Sequence, residues 1–410
     1  MTPCCRYCAD PLTLSFADLG QTPLANSYLQ PTSEARAAER SYPLHVMVCR
    51  SCRLVQTTET VPADAIFDHD YAYLSSYSAS WVAHAARYAE AMTHRFDLGS
   101  TSMVAEVASN DGYLLQHFAG AGIPVLGIEP AGHAAELAEE KGVRTHVAFF
   151  NEATARELTE TGPQADLIAA NNVLAHVPDI RDFATGFPIM LAPEGVVTFE
   201  FPHLLNLIEK IQFDTIYHEH YSYLSLLFVE QLLEGVGLRV FDVEELPTHG
   251  GSLRVFACHQ DARHREAPGL QKVRGDENAA GLATDAPYAG FGARIEAVCD
   301  GFRQFLAETA TAGKSVAGYG AAAKGNTFLN VCGVCADEIG FVVDQNPEKQ
   351  NRLLPGSHIP VHGPDRLREL KPDFVVILPW NLAEEISTQH SYIRDWGGRF
   401  VTAVPDIKVF

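Results

Sequence analysis

Positive charge is scarce in this 410-residue chain: 30 Lys and Arg stand against 51 Asp and Glu, a formal net charge of −21. Nonspecific nucleic-acid binding rests on Lys and Arg meeting phosphates, so the balance argues against a nucleic-acid partner. Long apolar runs are missing too. None reaches the roughly 18 residues that a membrane span needs, and the longest candidate, Phe374–Trp380, is only strand-length. The first residues, Met-Thr-Pro-Cys-Cys, lack the charged-then-apolar pattern of a secretory leader. A cytoplasmic location with no membrane partner is therefore expected. With 47% hydrophobic and 20% charged residues, the chain should fold as a soluble globule, and its length suits two or three domains. A monomer is compatible with this composition but not demanded by it.

The cysteines are few and unevenly placed. Five of the nine fall within the first 52 residues, and four of those form two CxxC pairs, Cys5-Arg-Tyr-Cys8 and Cys49-Arg-Ser-Cys52. Two thiolates at this spacing can turn inward onto one tetrahedral zinc ion, and two such knuckles close a four-sulfur site with no open position for catalysis. A structural Zn²⁺ held by Cys5, Cys8, Cys49 and Cys52 is the expectation. The 40 intervening residues leave room for a small subdomain, and Cys4 is the alternative ligand beside Cys5. The remaining CxxC, Cys332-Gly-Val-Cys335, lies in an apolar stretch with no partner pair and reads as core packing.

A nucleotide-binding α/β pattern follows. Ser102–Ala108 reads as a strand, Ser109-Asn-Asp-Gly-Tyr113 as a tight turn, and Val125–Glu129 as a second strand ending in an acid. Glu129 can accept hydrogen bonds from both ribose hydroxyls of an adenosine, and Gly112 lacks the Cβ that would obstruct a ligand. The turn holds one glycine rather than the three of a dinucleotide fingerprint, and it follows Glu106 on the strand. That favours an S-adenosylmethionine (SAM) site, whose ligand has no pyrophosphate. Ala165–Asn172 is a further strand whose end, Asn171-Asn172, leads to His176, and Gly195–Glu200 is another. Asn110, Asn171 and Asn172 join Glu106, Gly112 and Glu129 as candidate cofactor contacts.

Near the C-terminus, Lys314–Gly320 reads as a strand ending in G-x-G, followed by Ala321–Thr327 and a helix, with strands at Ile339–Asp344, Phe374–Leu378 and Phe400–Val404. Its Gly-rich turn suits phosphate oxygens, with Lys324 and Asn326 as added donors. Alone it is a weak dinucleotide signal, which keeps an NAD-dependent sugar-nucleotide dehydrogenase as the competing class. The charged stretch Gln260–Asp285 is the most linker-like.

Five features recur together: the paired knuckles, Leu19-Gly-Gln-Thr-Pro-Leu-Ala-Asn26, Val48–Gln56, Glu106–Gly112 and Phe213-Asp-Thr-Ile-Tyr-His-Glu-His-Tyr221. In these the chain resembles the SAM-dependent sugar C-methyltransferases of antibiotic deoxysugar biosynthesis, over nearly its whole length. The resemblance implies an α/β protein of three parts. These are an N-terminal zinc-binding module (1–66), a central class I SAM-methyltransferase Rossmann-like domain (67–246) and a C-terminal second Rossmann-like α/β domain (247–410) holding the sugar nucleotide. It implies methyl transfer from SAM to carbon 3 of a dTDP-linked keto-deoxysugar, with carbon 5 as the close variant.

Such chemistry needs a proton removed from carbon beside a ketone. That proton is about ten or more pKa units less acidic than imidazolium, a gap on the order of 14 kcal/mol. A base alone cannot close it; donors to the enolate oxygen and proximity must share the work. By resemblance His220 is the candidate base, with Tyr217 and Glu219 assisting and His218 as runner-up. His176 can hydrogen-bond the sugar or the ketone. Asp70-Tyr-Ala-Tyr-Leu-Ser-Ser-Tyr-Ser-Ala-Ser80 is the stretch the family uses to close over its ligands. It makes Tyr71 a catalytic candidate, Tyr73 a substrate contact, and Ser75 and Ser78 cofactor contacts. His249, Lys324, Asn326 and Arg352 are the remaining substrate candidates.

Overall fold

The computed structural model describes residues 3–58 and 74–410. The expected roles of Tyr71 and Tyr73 therefore lie outside the described residues. The chain opens with three antiparallel strands, β1 (Leu14–Pro23), β2 (Ser41–Val48) and β3 (Val55–Thr57). The short helix α1 (Ser33–Ala38) lies between β1 and β2. The knuckles flank this sheet. In each, the first cysteine's carbonyl accepts from the N–H four residues on, at Ala9 and Arg53, and both of those residues take positive φ, 65° and 63°. That left-handed step turns the chain back sharply enough for two thiols to face one point.

Helix α2 (Ala79–Arg95) begins the central unit, capped by the Ser78 hydroxyl, which accepts from the Trp81 N–H. Then come β4 (Val104–Val107), β5 (Val125–Ile128), β6 (Thr145–His146), β7 (Ala165–Asn171) and β8 (Leu191–Pro202). The two-residue strand β9 (Ser222–Tyr223) leaves this unit and pairs with β3 in the N-terminal sheet. Strands β10 (Leu238–Leu246) and β11 (Ser252–His259) return to the centre. The resulting seven-stranded sheet has the order β10-β11-β8-β7-β4-β5-β6. Neighbours are parallel from β8 to β6, and β11 runs antiparallel between β8 and β10. The expected limit at residue 246 falls in the turn between β10 and β11, two paired strands of one sheet.

The C-terminal sheet comprises β12 (Val316–Tyr319), β13 (Val342–Val343), β14 (Val361–His362), β15 (Phe374–Ile377), β16 (Arg399–Thr402) and β17 (Lys408–Val409). Its order is β14-β13-β12-β15-β16-β17, parallel except for the last strand. Strand β13 is shorter than the sequence suggests. The stretch read as a linker contains a helix, Pro268–Ala279, at its centre. Its Leu270, Val273 and Glu277 form a buried face at helical spacing, which the surrounding charge had masked. Glu277 accepts from the N–H groups of Leu226 and Leu227 at 2.6 and 2.8 Å and pairs with His203 at 2.7 Å, capping the helix Leu226–Glu234.

The N-terminal module shares its packing with both neighbours. Phe16, Leu44 and Val46 belong to one apolar core with Phe291, Ile295 and Phe302 of the C-terminal part, and Phe16 stacks on Phe291 at 4.3 Å. Cys5, Cys49 and Cys52 belong to another core with Phe228 and Val229 of the central unit. No helix among the described residues is long and apolar enough to cross a membrane.

Candidate active site and zinc centre

The sulfurs of Cys5, Cys8, Cys49 and Cys52 all lie within 4.8 Å of one another, with Cys5–Cys52 at 3.6 Å and Cys8–Cys49 at 3.4 Å. Four thiolates about 2.3 Å from a tetrahedral zinc ion are spaced about 3.8 Å apart, so the set fits the ion nearly as it stands. The Gln56 side-chain N–H donates to the Cys5 sulfur at 3.1 Å. Cys4 is exposed and outside the cluster. Cys332 is buried in the apolar core as expected, whereas Cys335 is half-buried and its thiol donates to the Glu338 carboxylate at 3.3 Å.

The cofactor candidates cluster at the carboxyl ends of β4, β5 and β7, the edge where open α/β sheets bind ligands. Glu106 is 1% exposed, and neither carboxylate oxygen has a close hydrogen-bond partner among the described residues, the Tyr113 hydroxyl being the group that approaches it. Burial raises its pKa well above the ordinary carboxylate range. The side-chain oxygens of Asn171 and Asn172 are likewise buried, with no hydrogen-bond partner among the described residues. Glu129, also raised by burial, accepts from the backbone N–H of Asn110 at 2.9 Å and of Ala131 at 2.8 Å. Buried acceptors at these strand ends suit the ammonium, ribose hydroxyls and adenine amine of SAM. Ala108 and Asn110 both take positive φ, 58° and 49°, so the turn keeps its left-handed geometry without the usual glycines.

Two of the cofactor candidates have other roles in the fold. The Cβ of an alanine at 112 would meet Ala138, on the helix Gly132–Glu140 after β5, and Val143, each at 3.2 Å, so packing against that helix and the turn beyond it accounts for Gly112. Ser78 is exposed, and its hydroxyl caps α2. Ser75 is buried, and its N–H donates to the Asn110 side chain at 2.8 Å.

His220 lies among aromatic rings, with Tyr217 at 4.0 Å and His176 at 4.7 Å between centroids. Its Nδ1 is 2.8 Å from the Thr215 carbonyl. A carbonyl only accepts, so the proton sits on Nδ1 and the Nε2 lone pair is left for chemistry. Burial pushes the His220 pKa well below 6.5, and the neighbouring His176, His249 and Lys324 push the same way. His176 repeats the arrangement: Nδ1 donates to the Glu219 carbonyl at 2.9 Å, and burial lowers its pKa to about 4. Its other nitrogen is therefore an acceptor, suited to a sugar hydroxyl rather than to the ketone oxygen.

Glu219 does not orient His220. Its carboxylate takes the Asn26 side-chain amide on both oxygens at 2.9 and 2.8 Å, and burial raises it to about 7. His218 faces the N-terminal module, with Nε2 donating to the Pro43 carbonyl at 3.2 Å. His249 sits at φ 54°, and its Nδ1 is buried with no hydrogen-bond partner among the described residues. Burial lowers it to about 4.

The C-terminal Gly-rich turn is occupied by its own protein. Asp344 accepts the Ala321 N–H at 2.7 Å, and Tyr28 and Lys349 both donate to the Ala321 carbonyl. A Cβ at Gly320 would strike Pro379 at 2.5 Å, so packing explains that glycine. Lys324 donates to Asn381 at 2.8 Å and lies over Trp380, whose indole N–H donates to Asp214 at 2.6 Å. The Asn326 amide donates to the Ala25 carbonyl at 2.6 Å, joining domains rather than facing a phosphate. Arg352 is half-buried, and its backbone carbonyl accepts from the Val361 N–H.

Several contributors were invisible in sequence: the Thr215 carbonyl, Asn26, and a buried network in which Glu200 joins His84 at 3.0 Å, Arg254 at 3.1 Å and Thr248 at 3.3 Å. A main-chain acceptor leaves no residue-type signal. Asn26 did stand in a conspicuous motif, although its partner 193 positions away could not be read from it.

A seven-stranded sheet with one reversed strand, buried acceptors at its strand ends and a four-cysteine zinc centre together define a SAM-dependent methyltransferase. The profile described as "Methyltransferase domain" matches residues 81–243, "Putative zinc binding domain" residues 5–67, and "C-methyltransferase C-terminal domain" residues 247–405. The chain is 36% identical over 405 residues to C-methyltransferase NovU of Streptomyces niveus, covering 99% of this chain and 96% of that one. It belongs to the SAM-dependent C-methyltransferase family. Among solved structures, it is similar to the magnesium protoporphyrin IX methyltransferase of Synechocystis PCC 6803 (14% identity, 44% of this chain and 83% of that one, TM-score 0.35). It is also similar to the PH0226 protein of Pyrococcus horikoshii OT3 (13% identity, 46% and 95%, TM-score 0.38).

Proposed function

We propose that this enzyme methylates carbon 3 of a dTDP-linked 4-keto-deoxysugar through an enolate, in deoxysugar assembly for antibiotic biosynthesis. The carrying observation is the neutral His220, whose Nδ1–H is tied to the Thr215 carbonyl, leaving Nε2 as a base. His220 takes the proton alpha to the ketone, and the Tyr217 hydroxyl donates to the oxygen on which charge develops. His176 accepts from a sugar hydroxyl or amine. His249 holds the substrate from the turn between β10 and β11, and Lys324 supplies positive charge for the anionic sugar nucleotide. Glu106, Asn171 and Asn172 hold the polar groups of SAM, and Glu129 takes its ribose. Bound SAM supplies the electrophilic methyl group. The cation beside the site and the imidazole pKa values below 6.5 favour proton abstraction over hydride transfer, which needs no such base at carbon.

The test is incubation with SAM and a panel of dTDP-4-keto-2,6-dideoxysugars in deuterated water, read by mass spectrometry and NMR. One methyl gained on carbon 3, with S-adenosylhomocysteine released, supports the reading; methylation at carbon 5 would move it to the neighbouring position. No exchange and no methylation with any sugar, in enzyme that binds SAM, would refute the sugar substrate.

A further inference from the structure

The segment bearing His220 is held almost residue by residue by the N-terminal zinc module. His218 donates to the Pro43 carbonyl at 3.2 Å, and Glu219 takes the Asn26 amide on both oxygens. The Tyr221 carbonyl accepts from the Thr57 N–H at 3.1 Å and from the Arg6 guanidinium. Ser222 and Tyr223 pair as β9 with Gln56 and Val55 of β3, and Arg6 also donates to the Ser222 hydroxyl at 3.1 Å. Both chain neighbours of His220 are thus fastened to the module, while its own ring faces the cleft between Tyr217 and His176.

Arg6 is the residue through which the metal centre reaches this segment. It lies inside the first knuckle, between Cys5 and Cys8, so the zinc ligands fix its backbone. Its N–H donates to the Gln56 side chain at 2.9 Å, and Gln56 in turn donates to the Cys5 sulfur at 3.1 Å. The guanidinium then spans three acceptors: the Thr57 carbonyl at 2.8 Å, the Tyr221 carbonyl and the Ser222 hydroxyl. A planar fork binding three acceptors sets direction as well as distance, which an ammonium cannot do.

We propose that Arg6 and Asn26 are positioning residues for His220, making the zinc module the mould of the catalytic segment rather than an independent stabilising unit. This rests on the assignment of His220 as base. A misplacement of about 1 Å at a reacting group can cost on the order of 100-fold in rate, so loosening either shoulder should show in turnover.

The test compares Arg6→Ala, Arg6→Lys and Asn26→Ala with the wild type. Asn26 is solvent-exposed, so its variant should fold even if Arg6→Ala does not. Zinc content and SAM affinity should stay within about twofold of wild type, while kcat for methyl transfer falls roughly 10- to 100-fold, with Arg6→Lys between. Hydrogen–deuterium exchange, which needs no substrate, should show faster exchange in the peptide 217–223 and unchanged exchange in β4 and β5. Unaltered protection of 217–223 in Asn26→Ala and Arg6→Lys would overturn the proposal whatever the substrate. Faster exchange there with unchanged kcat would also overturn it. Loss of protection in a protein inactive on every keto-sugar would instead uphold the mould and refute the sugar substrate.

Discussion

Lowering the pH from 7.5 to 5.5 tests whether His220 is the base and whether its surroundings hold it neutral. An imidazole with the ordinary pKa of about 6.5 is roughly nine-tenths unprotonated at the upper pH and one-tenth at the lower, so its rate would fall about tenfold. His220 is half-buried yet largely desolvated, and His176, His249 and the Lys324 ammonium face it, all disfavouring a second positive charge. The base form is the unprotonated one, and a lowered pKa moves its loss to lower pH. Deuterium washout from a substrate labelled alpha to the ketone, at saturating concentration, should therefore fall less than about tenfold across this range. Burial raises Glu219 to about 7 and Asp214 to about 6, so both titrate within the window. Glu219→Gln and Asp214→Asn backgrounds remove their contributions. Lys324→Met should move the acid limb upward, because it removes a charge that opposes protonation. A tenfold or larger drop centred at or above pH 6.5, in enzyme shown by circular dichroism to remain folded, would refute the reasoning.

Further outcomes follow from particular contacts. His220→Ala should lower washout and methyl transfer by about 10²- to 10⁴-fold with unchanged SAM binding by calorimetry, whereas His218→Ala should spare the base step far more. Gly112→Ala, at φ 73° and against Ala138 and Val143, should cost about 1–2 kcal/mol or more in denaturant unfolding. Glu277→Ala strips two helix N–H groups and His203 of their acceptor, and should destabilise by about 2–4 kcal/mol in the same assay. Cys5→Ser should release zinc to a chromogenic chelator under conditions where the wild type retains it, while Cys335→Ser, outside the cluster, should not.

The residues that announce themselves in sequence do so through local spacing. The knuckles Cys5/Cys8 and Cys49/Cys52 needed no long-range information beyond each pair, because two thiols three apart already face one way once the chain turns back. The strands β4, β5 and β7 and the polar residues at their ends were legible because a buried parallel strand is a continuous apolar run ending in a polar turn. The glycines were less readable. Gly112 and Gly320 stood where ligand-binding glycines stand, yet their missing side chains accommodate Ala138 and Pro379. One residue type answers both needs, and only the neighbours tell them apart.

By itself, then, the amino-acid order determined the zinc ligands, the SAM-binding character of the central α/β region and the five-residue stretch Tyr217–Tyr221 that holds the proposed base. The tertiary structure alone decided how that neighbourhood is divided. Alternation along Tyr217–Tyr221 sends successive side chains in different directions, but which direction is the cleft depends on what packs against each. His218 meets Pro43, Glu219 meets Asn26, and His220 meets the carbonyl of Thr215. Two of these partners lie more than 170 positions away and the third is a main-chain oxygen. Hydrogen bonds formed by chain closure at such separations leave no periodic trace in a sequence, so the roles of adjacent residues emerge only when the three units fold against one another.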